Sequence, residues 1–355
     1  MYKVTRVGVD LAKSVIQVHA VDAKGEKIVN RALKRDKFLS WCRELPAGCE
    51  VVFEGTAGCH HWGRQLRAMG LMPKLIAAHL AAPFRKAGKH GKNDANDAKA
   101  VCEAAGRPEM HFIPIKSAQQ QSKLLVHTYR EQVKEQRTAY INEIRGALLE
   151  YGIVLPKTPI QVRLQLHDIL EDGSNEMPGL TRLILQRAYQ QWMGLEEELA
   201  FCNEQIEAHI REDESAKTIK ELNGIGPVTA SAVIAAVGDF KQFKKGEQFG
   251  AWLGLTPKQH SSGGEARLGK MSKHGNSYLR MLLIQGAKSA VHTAHRRDDS
   301  VSKWLHQLKV RTCWQKASVA LANKNARIIW AIMTRGVAYD PNYRSVKPGL
   351  VVATA

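Results

Sequence analysis

The chain has 355 residues, of which 44% are hydrophobic and 24% are charged, as in ordinary soluble globular proteins. No run approaches the roughly 18 apolar residues of a membrane span, and the N-terminus has no cleavable leader pattern. Six dispersed cysteines form no Cys-x-x-Cys pair, which argues against a disulfide framework and a zinc ribbon. We therefore expect a cytoplasmic protein with no membrane partner.

The net charge of +18 is distributed unevenly along the chain. Residues 1–116 contain 20 Lys/Arg and 11 Asp/Glu, residues 117–215 contain 10 and 16, and residues 216–355 contain 22 and 7. Because phosphate neutralisation is a local effect, a polyanion should contact both ends of the chain and largely avoid the middle. Nucleic acid is the obvious polyanion.

The first third of the sequence predicts alternating strands and helices. The predicted strands cover residues 4–11, 15–21, 27–32, 50–54 and 74–77. Helices are predicted near residues 37–43 and 60–69, and a further helix begins after Asn93, a plausible N-cap. Three strands, a helix and then alternating strands and helices resemble the ribonuclease H-like order.

Four acidic residues stand at the boundaries of these elements: Asp10, Glu54, Asp94 and Asp97. In the first strand Gly8 and Asp10 share one face, and Asp94 and Asp97 are neighbours on one helix face. The simpler explanation is two acids capping turns and an acidic pair favoured by a helix dipole. All four in this order instead favour a phosphodiester enzyme whose clustered acids bind Mg²⁺, with Mn²⁺ as a substitute.

The middle third predicts two long helices, because apolar residues recur at helical spacing on both sides of a break over residues 156–179. The stripe consists of Leu125, Tyr129, Val133, Tyr140, Ile144, Leu148 and Tyr151, and then Leu180, Ile184, Ala188, Trp192, Leu195, Leu199, Cys202, Ile206 and Ile210. An antiparallel hairpin and an intermolecular coiled coil both satisfy this pattern. The segment is therefore either a spacer or a surface for self-association.

The last third opens with Asn223-Gly224-Ile225-Gly226-Pro227, which is similar to a helix-hairpin-helix turn. Backbone amides at Gly224 and Gly226 would bind a DNA phosphate without reading sequence, although a tight turn with no ligand explains the motif equally well. Further on, Ser261 and Ser262 precede two glycines. This glycine-rich segment is either a plain loop or a sharp turn that presents a serine hydroxyl.

Basic residues surround these motifs and predict contacts with a nucleic-acid backbone. Between residues 300 and 339 there are seven Lys/Arg and no Asp/Glu, interleaved with tryptophans. The candidate contact residues are Lys92, Lys258, Arg267, Lys270, Lys273, Lys316, Lys324 and Arg327.

Together these motifs resemble the bridge-RNA-guided DEDD transposases of insertion-sequence family one-ten, which are related to the Piv-type invertases. The resemblance rests on Gly-Val-Asp-Leu-Ala-Lys at Asp10, Phe-Glu-Gly-Thr at Glu54, Lys-Asn-Asp-Ala-Asn-Asp-Ala, the Gly-Ile-Gly turn, Gly-Leu-Thr-Pro, Ser-Ser-Gly-Gly and Met-Ser-Lys. It implies that the four acids hold Mg²⁺ and that Ser262, or its neighbour Ser261, attacks DNA to form a covalent phosphoserine. It also implies double-stranded donor and target DNA, a structured guide RNA, a homodimer or tetramer, and a nucleoid-associated location.

The expected fold is therefore α/β plus α. We expect a RuvC-like, ribonuclease H-like domain over residues 1–116, a coiled coil over 117–215, a mainly α-helical transposase domain over 216–340 and a tail over 341–355. Two other functions remain open at this point. A RuvC-like structure-specific endonuclease would use the same acids with water, and a nonenzymatic nucleic-acid-binding protein would need neither the acids nor the serine.

Overall fold

The computed structural model describes residues 3–85, 93–260, 265 and 267–340. The predicted site residues Lys92, Ser261 and Ser262 and the predicted tail lie outside the described residues. The chain divides into two compact units, Met1–Gln120 and Gln121–Ala355. The first unit is mixed α/β and the second is almost entirely helical. Nearly all of the predicted coil and the whole predicted C-terminal domain fall within the second unit.

The N-terminal unit contains six strands and four helices in its described part. The strands are β1 (Arg6–Leu11), β2 (Val15–Val21), β3 (Lys27–Lys34), β4 (Glu50–Glu54), β5 (Met72–Ile76) and β6 (Phe112–Ile113). The helices are α1 (Phe38–Cys42), α2 (Cys59–Ala68), α3 (Ala78–Ala81) and α4 (Asp94–Ala105). The five predicted strands and the three predicted helices are confirmed, with boundary shifts of a few residues, and α3 and β6 were not predicted.

These strands form one sheet in the order β3-β2-β1-β4-β5-β6. The first three strands are antiparallel neighbours joined by short turns, whereas β1, β4 and β5 run parallel. Parallel neighbours need crossover connections, and the segments containing α1 and α2 supply them. The carboxyl ends of β1 and β4 therefore meet at the same edge of the sheet.

The two faces of the sheet are covered by different helices. Val7 and Val9 of β1 are fully buried in a core that includes residues of α1 and α2. On the opposite face Val52 of β4 packs with Val101 and Ala104 of α4. Because side chains alternate along a strand, Gly8 and Asp10 belong to the α4 face.

The C-terminal unit contains nine helices and one hairpin in its described part. The helices are α5 (Ala118–Leu149), α6 (Pro159–Glu171), α7 (Gly179–Glu212), α8 (Glu214–Lys220), α9 (Pro227–Val237), α10 (Gly246–Trp252), α11 (Ser277–Thr293), α12 (Ser300–Arg311) and α13 (Trp314–Arg335). The hairpin strands are β7 (Pro257–Gln259) and β8 (Leu268–Met271). No helix in the described ranges is long and apolar enough to cross a bilayer.

The long helices α5 and α7 were predicted, but the helix between them was not. Residues 159–171 form α6, whose Val162 and Leu166 are buried with residues of both long helices. The predicted apolar stripe is also only partly covered, because Leu125 and Leu180 are 67% and 70% exposed. The part of the coil that the structure describes therefore leaves apolar surface in contact with solvent.

A buried polar network joins the long helices to the rest of the C-terminal unit. The Ser231 hydroxyl of α9 lies 2.9 Å from Nε2 of His127 on α5 and 2.7 Å from Nδ1 of His209 on α7. The Tyr278 hydroxyl of α11 lies 3.2 Å from Nδ1 of His127. Burial lowers the pKa of His127 to about 4, so this imidazole is neutral at physiological pH.

Candidate active site

Two of the four candidate acids are brought together by the sheet. Asp10 is the penultimate residue of β1, and Glu54 is the last residue of β4. The parallel register pairs Val9 with Phe53. Asp10 and Glu54, the following residue of each strand, therefore lie side by side. Both acids therefore lie at the carboxyl edge of the sheet.

The other two acids are held by the start of α4. The amide of Asn96 donates a hydrogen bond of 2.8 Å to Oδ1 of Asn93, which confirms the predicted N-cap. Asp94 and Asp97 then occupy the first turn, where the helix dipole favours negative charge. Since α4 packs on β1, Asp94 and Asp97 lie on the helix that covers the strand carrying Asp10.

The electrostatics of Asp10 show that the other three acids act on its carboxyl group. Burial raises the pKa of Asp10, and the charges of Asp94, Asp97 and Glu54 raise it further. The Arg85 guanidinium opposes this rise. An acid that is disfavoured in its ionised form by three neighbouring carboxylates is well suited to a divalent cation, which would relieve the repulsion.

Arg85, which the sequence analysis did not select, lies among these acids. Its Nη2 is 2.5 Å from Oε1 of Glu54, and its Nε is 2.8 Å from Oδ1 of Asp97. No three carboxylate, imidazole or thiol side chains within the described ranges are arranged to hold one metal ion. The guanidinium thus lies between two of the four carboxylates and supplies the positive charge there.

Gly8 is a second residue whose role was not predicted. A Cβ at this position would lie 2.2 Å from the backbone oxygen of Ala98 and 2.6 Å from Cβ of Cys102, both on α4. Glycine thus allows the helix to approach the strand next to Asp10. The available signal was a glycine inside a strand of β-branched residues, which often marks close backbone approach.

We expect Gly8→Ala to unfold the N-terminal unit more easily and to lower activity. The clash is with a backbone oxygen, so no side-chain rotation relieves it, and α4 must shift; the cost should be about 2–4 kcal/mol. Thermal unfolding and a strand-cleavage assay would measure the two effects. Gly146→Ala in α5 is the matched control, because nothing lies within 4 Å of its Cβ position. Equal unfolding temperatures for the two variants would contradict the packing argument.

In the C-terminal unit, the predicted serine loop lies between the two strands of the hairpin. Pro257 pairs with Met271 and Gln259 with Leu268, and the His260 amide donates a 2.9 Å hydrogen bond to the Arg267 carbonyl. Ser261 and Ser262 themselves lie in the part of this connection that is not described. The basic candidates Lys258, Arg267, Lys270 and Lys273 are exposed on or beside the strands. Arg267 also forms an exposed ion pair with Glu265.

The Gly-Ile-Gly turn lies between α8 and α9, as the helix-hairpin-helix pattern predicted. Gly224 has a positive φ of 85°, and its backbone packs against Gly286 of α11 so closely that a Cβ would lie 2.8 Å from the Gly286 oxygen. Gly226 is the N-cap residue of α9 and has open space at its Cβ position. Close packing thus explains Gly224 without a ligand, whereas Gly226 retains room for one.

The three remaining basic candidates lie on α13 with different partners. Lys316 is exposed in the first turn, and the Lys324 ammonium lies 4.5 Å from the centre of the Trp304 ring. Arg327 pairs with Glu247 at 2.5 Å. Two of the three cations are therefore partly engaged within the protein.

Two family models match the chain. A model for the DEDD transposase domain of IS110 elements, described as "Transposase", matches residues 7–153. A second, described as "Transposase IS116/IS110/IS902 family", matches residues 216–301. The first match includes all four acids, and the second includes the glycine turn and the serine loop. The chain thus contains a DEDD transposase domain in a mixed α/β fold.

Full-length relatives extend this similarity over nearly the whole chain. The chain is 41% identical over 338 residues to a "Probable family 20 transposase" of Pseudomonas aeruginosa, covering 95% of this chain and 99% of that protein. It is 38% identical to the "Transposase for insertion sequence element IS1111A" of Coxiella burnetii, covering 94% and 90%. It is 32% identical to the "Transposase for insertion sequence element IS1328" of Yersinia enterocolitica, covering 96% and 100%. The chain belongs to the IS110/IS116 family of insertion-sequence transposases.

Proposed function

We propose that this transposase cuts and rejoins DNA through a covalent phosphoserine intermediate at a metal-dependent site. Asp10, Glu54, Asp94 and Asp97 would hold Mg²⁺, or Mn²⁺ in its place, and Ser262 would be the nucleophile. The observation that carries the proposal is the placement of the four acids: Asp10 and Glu54 end neighbouring parallel strands, and the other two begin the helix that packs on β1. Burial and then the charges of these three neighbours raise the pKa of Asp10. Clustered carboxylates of this kind can bind a divalent cation, and a bound cation can polarise a phosphate group.

The architecture of the N-terminal unit supports a RuvC-like, ribonuclease H-like assignment. Three antiparallel strands continue into two parallel strands, with helices on both faces of the sheet. Asp10 and Glu54 end adjacent parallel strands, and Asp94 and Asp97 begin the helix on one face. This arrangement supports a catalytic edge at which the carboxylates come from separate rigid elements.

The carboxylates offer the hard oxygen ligands that Mg²⁺ and Mn²⁺ prefer. When bound, the metal would polarise the scissile phosphate and favour deprotonation of a serine hydroxyl. The four carboxylates would hold the ion in a fixed position, and the ion would in turn fix the position of the phosphate. Their rigid attachment to β1, β4 and α4 would limit reorganisation during the reaction.

In the proposed step the Ser262 oxygen attacks a DNA phosphorus atom and loses its proton to solvent. A new serine–phosphorus bond forms, one DNA oxygen–phosphorus bond breaks, and the released DNA hydroxyl gains a proton. Attack by a hydroxyl of a second strand reverses the exchange and restores the serine. Because the phosphodiester is replaced by another phosphoester, strands are rejoined without ATP.

Contacts with donor and target DNA, and with a structured guide RNA, are proposed mainly through phosphates. Lys258, Arg267, Lys270 and Lys273 flank the serine loop, and Lys316, Lys324 and Arg327 lie on α13; Gly224, Gly226 and Lys92 complete the proposed contacts. The charge excess over residues 216–355 supports strong, salt-dependent backbone binding. Sequence selection would then be delegated to base pairing with the RNA.

The competing function is a RuvC-like endonuclease that hydrolyses branched DNA with water. A denaturing gel of purified protein with Mg²⁺, matched DNA and RNA transcribed from sequence flanking the gene would separate the two. We expect a covalent protein–DNA adduct, whose phosphorylated peptide maps to residues 261–262 by mass spectrometry. Nicked DNA without an adduct would instead support hydrolysis.

We also propose that the coil formed by α5, α6 and α7 mediates assembly into a dimer or tetramer. Exposed apolar side chains on these helices, including Ile160, Leu164, Leu180 and Ile184, support this proposal. Leu180→Lys together with Ile184→Lys should shift the mass measured by light scattering towards that of the monomer. A monomeric wild-type protein, both free and bound to nucleic acid, would contradict it.

A further inference from the structure

Arg85 makes the most unusual contact near the four acids. It follows a short turn of 3-10 helix, Ala82–Phe84, and its guanidinium bridges Glu54 and Asp97. The side chains of these acids are 13% and 19% exposed, whereas that of Arg85 is 36% exposed. The arginine therefore covers the two carboxylates from the solvent side.

This bridge engages one oxygen of each of two carboxylates that are proposed metal ligands. Glu54 comes from β4 and Asp97 from α4, so the guanidinium links two elements that the proposed metal site also links. A planar guanidinium can contact two carboxylates through different nitrogens, which a single ammonium does less well. With Arg85 in this position, one oxygen of Glu54 and one of Asp97 face the guanidinium, so a metal ion would compete with it for these two oxygens.

We propose that Arg85 is a displaceable counter-ion, which bridges Glu54 and Asp97 and releases them when a metal ion binds. The inference rests on the proposed function in taking these acids as metal ligands. Beyond the proposed function, this inference assigns to Arg85 an effect on the affinity for the metal, although Arg85 is not a metal ligand. Arg85 is thus a positioning residue, and the strength of its two ion pairs opposes metal binding.

The test is Mn²⁺ binding to metal-free, full-length protein, with free Mn²⁺ measured by electron paramagnetic resonance. Arg85→Gln should bind Mn²⁺ about three- to tenfold more tightly than wild type, because no cation has to leave. Its thermal unfolding temperature in EDTA should fall, since Glu54 and Asp97 lose their counter-ion. Added Mn²⁺ should then raise this temperature by more in Arg85→Gln than in wild type.

Lys99→Gln is the matched control for the loss of one positive charge. Lys99 lies on α4, the helix that carries Asp97, but it pairs with Glu103 at 3.5 Å. We expect its Mn²⁺ affinity to remain within about twofold of wild type, because exposed pairs contribute little and distant charges are screened. Arg85→Lys keeps the charge but not the bridge, and its affinity should be intermediate.

The outcomes separate this inference from the proposed function. If wild-type protein binds Mn²⁺ and Asp10→Asn does not, but Arg85→Gln binds no more tightly than Lys99→Gln, the counter-ion role is wrong and the metal site stands. If wild type shows no binding that depends on Asp10, both are overturned. The inference is supported if Arg85→Gln binds Mn²⁺ more tightly than wild type, Arg85→Lys is intermediate and Lys99→Gln is unchanged.

Discussion

Replacing Asp10 with asparagine should abolish DNA cleavage and strand joining while leaving the protein folded. Asparagine keeps the shape of the side chain but removes the negative charge, so the metal ion would be bound weakly or out of place. The rate should fall by about a thousandfold or more, because metal stabilisation of a reacting phosphate contributes several kcal/mol. A cleavage assay with Mg²⁺ and a matched DNA substrate would measure this loss.

The stability of Asp10→Asn provides an independent check. Burial and the neighbouring acids raise the pKa of Asp10, which means that its ionised form destabilises the metal-free fold at neutral pH. Asparagine removes that charge, so the unfolding temperature in EDTA should equal or exceed that of wild type. Asp36→Asn, at an exposed residue beside Lys37, is the control and should retain activity. Cleavage by Asp10→Asn at the control rate would refute the assigned role.

Replacing Ser262 with alanine should remove both the covalent adduct and recombination without weakening nucleic-acid binding. The hydroxyl would form the bond to phosphorus, and no other group replaces it in the proposed step. We expect recombination to fall by about a thousandfold or more, as for loss of an enzyme nucleophile. Gel-shift titration at fixed salt should give an unchanged affinity, since the basic residues remain.

Ser261→Ala is the matched control for the serine loop, because it makes the same change one residue away. Retained adduct in Ser261→Ala and lost adduct in Ser262→Ala would assign the nucleophile to Ser262. The reverse result would transfer the role to Ser261. Normal recombination in both variants would leave the serine loop without a chemical role and favour hydrolysis by water.

Local patterns were sufficient to predict much of the N-terminal unit. Alternating apolar residues predicted the strands, and the polar residue before an alanine-rich run predicted the Asn93 cap. The placement of Gly8 and Asp10 on one face followed from strand geometry alone. The helix α6 was missed because the apolar pattern breaks over residues 156–179; its single proline, Pro159, lies in the first turn, where proline is well tolerated.

Features that depend on distant parts of the chain could not be predicted in this way. Arg85 is 31 residues from Glu54 and 12 from Asp97, and only the folded sheet brings the three together. The strands β7 and β8 are only three and four residues long and largely exposed, so they show no apolar alternation. The contact of Gly224 with Gly286 likewise needs two separate helices to be packed first.

The buried polar network has a mechanical consequence for the coil. With 34 residues, α7 is about 50 Å long, so a rotation of about 5° at its His209 end would move the opposite end by about 4 Å. The network at Ser231 holds α5 and α7 through directional hydrogen bonds, which resist such rotation better than apolar contacts do. We therefore expect the direction of the long helices to be set in part by the hydrogen bonds of the Ser231 hydroxyl, together with the apolar packing of residues such as Ile210.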